Sequence, residues 1–543
     1  MTLPANPIPP AWRPRLLAVL AGIAAALAHP PWGLLPGLLG YGAIMLLADR
    51  ADPARPLRSA FLRGWLAGLG YFAVGTWWVA EAFLVDIAAH GWMAPFAVTL
   101  MAGGIALFWG LATWLYRLAR IEGPWRVVVF AGAFGAAEWL RGHILTGFPW
   151  NLPGETWKAG SAVSQTASLV GVYGLTVLTV GVAAATALLW KAPRRQALVA
   201  GGLAGGLLVA MLGFGLARLA LADANTVGDA PPLVRIVQPN VPQTIKYDPV
   251  VFSHILAKHL RLTRQPGRRV PDIVIWSEGA IPMLANDYLA EGSLERAAIT
   301  EALAPGQVLL VGAAVADPPE PGSRNRGPRY ANSLLALRRD GDDLTLIGRY
   351  DKHRLVPFGE FLPLEGILTP LGFKELVKIG DGFSIGPRPA PMRIQGLPVM
   401  QPLICYESLY PGFTREGAKA SGLSPDLIVN ISNDAWFGAT SGPLQHLNLA
   451  SYRAIEEGVP MARATPTGVS AMIDAYGRVI PSAKIGQGVE AVVDVVLPPK
   501  VDKTPYRRLG DTIFSIFMIV SAGISLAFHW RGMKIPLRLF QRD

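Results

Sequence analysis

Three polar residues of this 543-residue chain each close an apolar, strand-like run and carry side chains that could react together. Glu278 ends "DIVIWSE", Lys352 ends "LIGRYDK", and Cys405, the only cysteine, lies in "VMQPLICYESLYP". A thiol attacks a carbonyl carbon as the thiolate, and a carboxylate within reach can accept its proton. An ammonium group can stabilise the oxyanion that forms. These residue types are suited to acyl chemistry through a thioester.

Each of the three residues also has a purely structural explanation. Glu278 could cap a helix, Lys352 could be a solvated loop lysine, and Cys405 could pack as a small apolar residue. An intrachain disulfide is excluded, because a lone cysteine has no partner in the same chain. Position favours the functional interpretation, because strand ends in α/β enzymes present side chains at a crevice on a rigid frame.

The elements that must position these residues lie between residues 226 and 505, where short β-rich runs alternate with helical stretches. This alternation predicts an α/β domain with a buried sheet, and the segment is long enough to bury its own core. Helices are predicted over 250–264, 292–303 and 443–458. The predicted strands are "PLVRIVQP", "DIVIWSE", "QVLLVGAAV", "NSLLALRR", "LTLIGRY", "VMQPLICYE", "DLIVNIS" and "VSAMIDAYG".

The remainder of the chain reads as membrane helices. The sequence is 51% hydrophobic and 16% charged, which is more apolar than an ordinary soluble domain. About 20 apolar residues in helical form cross a bilayer. We predict a seven-helix transmembrane region over residues 1–225, and an eighth transmembrane helix with a cytoplasmic tail over 506–543. The eight predicted spans cover approximately residues 13–29, 33–48, 60–85, 92–116, 127–147, 163–190, 197–221 and 509–530.

The distribution of positive charge predicts the orientation. If the N-terminus is cytoplasmic, the inner segments hold sixteen Lys and Arg residues and the short outer loops hold one or two. Because Lys and Arg are retained on the cytoplasmic side, both termini are expected in the cytoplasm and the α/β domain on the outer face. The net charge of +11 does not indicate nucleic-acid binding, because the basic residues are scattered between apolar segments.

Four motifs together resemble the nitrilase superfamily: "IVIWSEGAIP", "YDKHRLVPFGEFLP", "LICYESLYP" and "NISNDAWFGATSGPLQH". With eight predicted spans, the chain is similar to the membrane-embedded apolipoprotein N-acyltransferase family of that superfamily. The resemblance implies an extracytoplasmic α-β-β-α sandwich with a catalytic triad of Glu278, Lys352 and Cys405. It also implies supporting or substrate-binding roles for a second set of residues, namely Glu360, Tyr406, Glu407 and Trp436.

One motif departs from the family pattern. Where an asparagine-containing turn is expected before a glycine, the sequence reads "ATPTG" at 464–468, so any contact made by an asparagine side chain there is in doubt.

The resemblance implies a complete reaction and its location. A phospholipid would donate an acyl chain to Cys405, and the thioester would pass it to the N-terminal diacylglyceryl-cysteine of an apolipoprotein in ping-pong fashion. This step would complete lipoprotein maturation at the cell inner membrane, with the catalytic domain on the periplasmic face. We expect membrane lipids as partners and neither a cofactor nor a metal. The apolar stretches 360–373 and 434–438 could form a rim for acyl chains, or simply pack as loops.

Two other functions are compatible with parts of this sequence. A membrane-tethered amidase or nitrilase could use the same three residues, but it would not need eight spans. A transporter with a ligand-binding outer domain would need more intramembrane charges than this sequence has. Glu138 and Arg141, three apart near the outer end of the fifth span, could pair structurally or line a path for lipid or substrate.

Overall fold

The computed structural model describes residues 12–222, 231–319, 327–362, 370, 382–501 and 503–533. The chain divides into two compact units. The first comprises Met1–Lys158, Ala162–Leu216 and Asp511–Asp543, and the second comprises Ala159–Ser161 and Ala217–Gly510.

The first unit is helical. Its long helices, numbered in chain order, are α1 Trp12–Leu27, α2 Leu39–Asp49, α3 Pro56–Gly75, α4 Ala94–Leu118, α5 Trp125–His143, α6 Ala167–Lys191, α7 Arg194–Ala222 and α12 Thr512–Met533. Short helical turns occupy Leu35–Leu38, Trp77–Val79, Ala80–Leu84, Ile87–His90, Gly91–Met93, Pro153–Thr156 and Val163–Thr166.

Within the described residues, three helical segments are long and apolar enough to cross a membrane. They are Ile87–Leu118, Val163–Trp190 and Arg194–Ala222, with mean hydropathies of 1.7, 1.9 and 2.1. Two shorter apolar helical segments, Leu35–Asp49 and Thr512–Phe528, fall below that length. Each of the eight predicted spans overlaps a helix, but length and composition support only three of the described helical segments as membrane-crossing, so the eight spans stay a prediction.

The predicted span over 60–85 is not one continuous helix, because α3 ends at Gly75 and the short helical turns Trp77–Val79 and Ala80–Leu84 follow it. Helix α3 ends at Gly75, and the indole of Trp78 donates to the Gly75 carbonyl at 3.1 Å, which satisfies one of the free carbonyls at the helix end. The Trp78 ring also packs on Trp150, with centroids 4.5 Å apart. Apolar composition alone could not reveal this break, because the residues that cause it are themselves apolar.

Glu138 and Arg141 form a buried ion pair within the first unit. Arg141 Nε donates to Glu138 Oε2 at 2.8 Å, and the indole of Trp109 donates to Glu138 Oε1 at 2.6 Å. Arg141 also donates to the Trp150 carbonyl at 3.0 Å. Both charged side chains are almost completely buried, and their polar atoms face protein partners. These contacts favour the structural role among the two roles that the sequence left open.

The second unit contains two sheets. The larger has six strands in the order β11-β1-β2-β3-β4-β5, and the smaller has five in the order β10-β9-β8-β7-β6. The strands are β1 Leu233–Gln238, β2 Ile273–Ile275, β3 Val308–Asp317, β4 Arg329–Asp340, β5 Asp343–Asp351, β6 Met400–Ile404, β7 Leu427–Ile431, β8 Met461–Ala464, β9 Ser470–Ile473, β10 Val479–Ile485 and β11 Ala491–Val496.

Four helices accompany these sheets: α8 Phe252–Thr263, α9 Leu294–Ala302, α10 Phe413–Ser421 and α11 Gly442–Glu457. Shorter turns of helix occupy Gln243–Lys246, Pro249–Val251, Ala285–Tyr288, Cys405–Leu409, Asp434–Phe437 and Pro505–Leu509. One apolar cluster joins the two sheets face to face, with Ile275 and Leu310 from the larger sheet and Ile404 and Val429 from the smaller. A second cluster packs α8 and α9 on the other face of the larger sheet.

Three strands were not predicted, because charged residues or a proline interrupt them. In β8, "MARA", the side chain of Arg463 is completely buried. In β11, Asp494 lies directly opposite Arg235 of β1, and Arg235 Nε donates to Asp494 Oδ1 at 2.7 Å. Such a cross-strand pair stabilises the sheet, yet each charge alone suggests an exposed loop. The third missed strand, β10, contains Pro481, which argues against a strand assignment.

Candidate active site

The three strand-end residues lie at the ends of strands from both sheets. Glu278 follows β2, Lys352 immediately follows β5 of the same sheet, and Cys405 immediately follows β6 of the other. The backbone approaches Glu278 closely at Gly312 of β3, where an added Cβ would lie 2.6 Å from the Glu278 Cα. Only a residue without a side chain fits there, so β3 fixes the position of Glu278.

The Lys352 ammonium is held between two carboxylates. Its Nζ lies 3.1 Å from Glu278 Oε1 and 2.9 Å from Glu360 Oε1. The side-chain amide of Asn332, in β4, donates to the same two oxygens at 2.8 and 2.7 Å. All four side chains are buried. A lysine ammonium has three N–H bonds, so two are used here and the third is left for another acceptor.

Glu278 has one occupied and one unoccupied carboxylate oxygen. Oε1 accepts from Lys352 and Asn332, whereas Oε2 is buried and has no hydrogen-bond partner among the described residues. Burial alone would raise the pKa of Glu278, but the Lys352 charge and the Asn332 hydrogen bond hold it below its usual value. Glu278 is therefore an ionised carboxylate with a lone pair free to accept a proton.

The pKa of Lys352 shifts in the opposite direction. Burial would lower it, yet the charges of Glu278 and Glu360 raise the pKa of Lys352 well above its usual range. The ammonium therefore stays protonated at any physiological pH. A permanent cation at this point can stabilise negative charge that develops on a substrate oxygen.

Cys405 begins the short helix Cys405–Leu409 with a left-handed backbone conformation, φ +49°. Such a conformation is costly for a residue with a side chain, and it is found where the surrounding structure enforces it. The residue as a whole is half-buried. Burial and the nearby Glu278 carboxylate raise the pKa of Cys405 to about 12, while Lys352 acts to lower it. The resting thiol is therefore protonated, and its reaction requires a base.

Glu407 connects the turn of Cys405 to the loop that follows β5. Its Oε1 accepts from the Tyr350 hydroxyl at 2.9 Å and from the backbone N–H groups of His353 and Arg354 at 2.7 and 3.2 Å. Its Oε2 accepts from the Ile404 N–H at 2.8 Å. The completely buried carboxylate thus links the strand end that carries Lys352 to the one that carries Cys405.

The remaining predicted residues lie around this centre. Glu360 Oε2 accepts from the Val356 N–H at 2.7 Å, which orients the carboxylate toward Lys352. The Tyr406 ring meets Tyr410 edge to face at 5.2 Å. Trp436 is half-buried on the turn Asp434–Phe437. Most of the predicted rim 360–373 lies outside the described residues.

A buried polar network lies behind the Cys405 turn. His446 Nδ1 lies 2.9 Å from Asp434 Oδ1, and His446 Nε2 lies 3.1 Å from the Ser408 hydroxyl. Asp434 also accepts from Arg463 and from Ser432, both at 2.7 Å. Ser408, Ser432, Asp434 and His446 lie within the motifs that resemble the nitrilase superfamily, but their contacts join segments that are distant in sequence, so no local pattern indicates the network.

A second lysine lies beside Glu278. Lys246 Nζ donates to the Glu278 backbone carbonyl at 3.4 Å, and the side chain is buried. Burial lowers the pKa of Lys246 to about 8, although the Glu278 charge acts against that shift. The charge of Lys246 also favours the ionised form of Glu278. No pattern in the sequence around Lys246 indicates this position.

The "ATPTG" turn contributes backbone rather than an amide side chain. Thr465 N donates to the Ser470 hydroxyl at 2.9 Å, and the Thr467 carbonyl accepts from the Gly488 N–H at 2.8 Å. Gly468 approaches Asp434 so closely that an added Cβ would lie 2.7 Å from its side chain.

Across the described residues, no group of three or more His, Cys, Asp or Glu side chains is arranged to hold a metal ion. The chemical groups at this centre are a thiol, a carboxylate and an ammonium.

Comparison with known proteins assigns both parts of the chain. The family described as Apolipoprotein N-acyltransferase N-terminal domain matches residues 21–185, and the family described as Carbon-nitrogen hydrolase matches residues 233–506. An amidase from Nesterenkonia sp. covers 54% of this chain and 98% of its own, with 15% identity and a TM-score of 0.36, which is too low to bear on the assignment.

Relatives that match almost the whole chain identify the family. The apolipoprotein N-acyltransferase of Caulobacter vibrioides is 54% identical over 519 residues, which cover 95% of this chain and 94% of the relative. That of Rhodopseudomonas palustris is 38% identical and covers 92% of each chain. That of Brucella melitensis is 37% identical over 96% of this chain. The chain therefore belongs to the apolipoprotein N-acyltransferase family.

Proposed function

We propose that Cys405 takes a fatty acyl group from a membrane phospholipid and passes it to the N-terminal amine of a diacylglyceryl-modified apolipoprotein. The observation that carries this proposal is the divided carboxylate of Glu278. One oxygen is fixed by Lys352, and the other is buried without a partner. A free lone pair on an ionised carboxylate is what a protonated thiol needs before it can attack an ester.

The first half-reaction loads the enzyme. Glu278 Oε2 takes the thiol proton as Sγ bonds to the ester carbon, and the C=O electron pair moves onto oxygen. The unused N–H of Lys352 and the backbone N–H of Tyr406 donate to this oxyanion. The oxyanion then collapses, the bond to the glyceryl oxygen breaks, and Glu278 returns the proton to that oxygen. A lysophospholipid leaves, and Cys405 carries a thioester.

The second half-reaction uses the same groups. The amine of the apolipoprotein cysteine attacks the thioester carbon, and Glu278 accepts the amine proton. Collapse of the new oxyanion breaks the C–S bond, and Glu278 protonates the departing thiolate. An amide forms, and the free enzyme is regenerated. Because the acyl group stays on Cys405 after the lysophospholipid has left, the two substrates react in turn, as a ping-pong mechanism requires.

We assign supporting roles to four residues on the same basis. Glu407 holds the Cys405 turn against the loop after β5, and Glu360 fixes the Lys352 ammonium. Tyr406 supplies its backbone N–H to the oxyanion. The half-buried ring of Trp436 offers an apolar surface to the acyl chain.

The membrane arrangement is part of the proposal. Residues 1–225 would form seven spans, residues 226–505 the periplasmic catalytic domain, and residues 506–543 the eighth span and the cytoplasmic tail. Both termini would lie in the cytoplasm, at the cell inner membrane. Moving an acyl chain of about fifteen methylenes into water would cost on the order of 12 kcal/mol. A site anchored at the membrane surface avoids that cost.

The decisive experiment separates the half-reactions. Purified enzyme is incubated with phospholipid alone, and its intact mass is measured. We expect one added acyl group, mapped to Cys405 and absent from Cys405→Ala. A diacylglyceryl-cysteine peptide added afterwards should remove the adduct and become N-acylated. A wild-type enzyme without an adduct, or a Cys405→Ala enzyme with normal transfer, would refute the mechanism. Release of free fatty acid with no acylated peptide would indicate a hydrolase instead.

A further inference from the structure

The Ser408 hydroxyl holds the carbonyl of the nucleophile. Ser408 Oγ donates to the Cys405 carbonyl oxygen at 2.8 Å, from a side chain with no solvent exposure. The Cys405 carbonyl and the Tyr406 N–H belong to the same planar, trans peptide group, so they point in opposite directions. Whatever fixes the direction of that carbonyl therefore also fixes the direction of the Tyr406 N–H.

The peptide group between Cys405 and Tyr406 needs stabilising contacts from other side chains. Cys405 has φ +49°, a conformation that is unfavourable for a residue with a side chain. On the N-terminal side, the Ile404 N–H is bound by Glu407 Oε2 at 2.8 Å. On the C-terminal side, Ser408 binds the Cys405 carbonyl. Glu407 and Ser408, both in the turn Cys405–Leu409, thus bind the backbone on either side of the nucleophile.

Ser408 is itself held by the buried network. Its hydroxyl lies 3.1 Å from His446 Nε2, and His446 Nδ1 lies 2.9 Å from Asp434 Oδ1. Burial would raise the pKa of Asp434, but the charge of Arg463 keeps it far below its usual range. Asp434 is therefore ionised and can only accept, so the hydrogen of a neutral His446 lies on Nδ1.

The state of His446 then determines how Ser408 is used. Burial and the charge of Arg463 lower the pKa of His446, which favours the neutral ring. Nε2 is then an acceptor, and the single Ser408 hydrogen has two acceptors, the Cys405 carbonyl at 2.8 Å and Nε2 at 3.1 Å. The single hydrogen is shared in a three-centre bond, with the carbonyl, at the shorter distance, as the main acceptor and Nε2 as the second, so the imidazole limits rotation of the hydroxyl.

We propose that Ser408, braced by His446 and Asp434, is a positioning residue that locks the Cys405–Tyr406 peptide so that its N–H faces the developing oxyanion. This role rests on the proposed function, in which the Tyr406 N–H is one of two oxyanion donors. A hydrogen bond on the carbonyl also polarises the peptide group and makes its N–H a stronger donor. Without Ser408, the strained peptide is free to rotate and the donor is lost.

Two reactions of the same thiol distinguish this role from general damage to the site. Acylation by phospholipid passes through an oxyanion, whereas alkylation by iodoacetamide is a displacement at carbon that forms none. Both need the same sulfur in the same position. A positioning role for the oxyanion donor therefore slows acylation selectively, whereas a displaced Cys405 slows both reactions together.

The test compares full-length variants in single-turnover acylation, with alkylation measured in parallel. For Ser408→Ala we expect acylation to fall by about tenfold or more and alkylation to stay within about twofold of wild type, because only the former needs the oxyanion donor. Ser408→Thr keeps the hydroxyl and should recover much of the acylation rate. Ser421→Ala removes a comparable hydroxyl bond, 2.9 Å to the Gly417 carbonyl at the end of α10, and should change neither rate.

Each possible result of these measurements either supports or contradicts the positioning role of Ser408. Equal loss of both rates in Ser408→Ala, or an unchanged acylation rate, would overturn the positioning role. If Ser408→Ala does not fold, His446→Gln is measured instead, because it leaves the Ser408 hydroxyl but removes its brace. It should show the same selective loss, and equal loss of both rates would again overturn the proposal. A wild-type enzyme that is alkylated but never acylated would refute the proposed function itself.

Discussion

Lys352 engages only one of the two carboxylate oxygens of Glu278. Its Nζ lies 3.1 Å from Oε1, while Oε2 is buried and has no hydrogen-bond partner in the part of the chain that the structure describes. One oxygen keeps the group ionised and in place, and the other is available for proton transfer. The chemistry of the site depends on this division.

Replacing the base should stop loading of the enzyme. In Glu278→Gln the amide can still contact Lys352 but cannot accept a proton, so we expect the rate of acyl-adduct formation to fall by ~10²–10⁴. Intact mass spectrometry after incubation with phospholipid measures it. Glu301→Gln, an exposed acid paired with Arg264, is the matched control. Normal adduct accumulation in Glu278→Gln would exclude a base role in this step.

Removing the ammonium should affect both catalysis and stability. Lys352→Met leaves the carboxylates of Glu278 and Glu360 buried without their counter-ion, and such a loss commonly costs about 3–5 kcal/mol. We therefore expect no adduct and a lower unfolding midpoint in denaturant. The double variant Lys352→Met, Glu360→Gln should recover part of the stability and none of the activity. An adduct yield equal to wild type in Lys352→Met would remove Lys352 from the oxyanion role.

The raised pKa of the nucleophile should be visible in its pH dependence. An ordinary thiol, with a pKa of about 8.5, reaches its full thiolate content near pH 9–10. With its pKa raised to about 12, Cys405 gains thiolate continuously through that range. The rate of alkylation by iodoacetamide should therefore still be rising at pH 10, where a cysteine-containing reference peptide has levelled off. An alkylation rate for Cys405 that levels off at the same pH as the rate for the reference peptide would contradict the raised pKa.

Filling the space at Gly312 should displace the base. An added Cβ would lie 2.6 Å from both the Glu278 Cα and the Ser277 carbonyl oxygen, so Gly312→Ala forces backbone to move. Overpacking of this kind typically costs about 1–3 kcal/mol, and we expect adduct formation to slow with it. Gly486→Ala is the control, because its added methyl would meet only Val489 at 3.8 Å. Equal stability and activity in the two variants would contradict the close approach.

The sequence identified residues whose position shows in a local pattern. Glu278, Lys352 and Cys405 each close an apolar run, and strand ends are visible from one stretch of chain. The family resemblance and the nitrilase-like α/β domain are confirmed, whereas the chemical roles of the three residues stay predictions. Asn332 was hidden at the start of a predicted strand, because its contacts with Glu278 and Glu360 depend on how β4 lies in the sheet relative to β2 and to the loop after β5.

Buried charge was the main obstacle to prediction. Arg463 in "MARA" is completely buried against Asp434, and Asp494 in "AVVDVV" is half-buried against Arg235, yet both look like surface residues in the sequence. In the first unit, too, a contact between residues that are distant in sequence could not be predicted. The break of α3 after Gly75 depends on Trp78 and Trp150, which are far apart in sequence.

Glu407 has a consequence that reaches beyond the Cys405 turn. Through one carboxylate it fastens the sheet that bears the sulfur to the sheet that bears the ammonium. A shift of one sheet relative to the other would therefore move the Cys405 thiol away from the Lys352 ammonium. Warming should consequently abolish the enzyme's activity while most of its secondary structure is still intact.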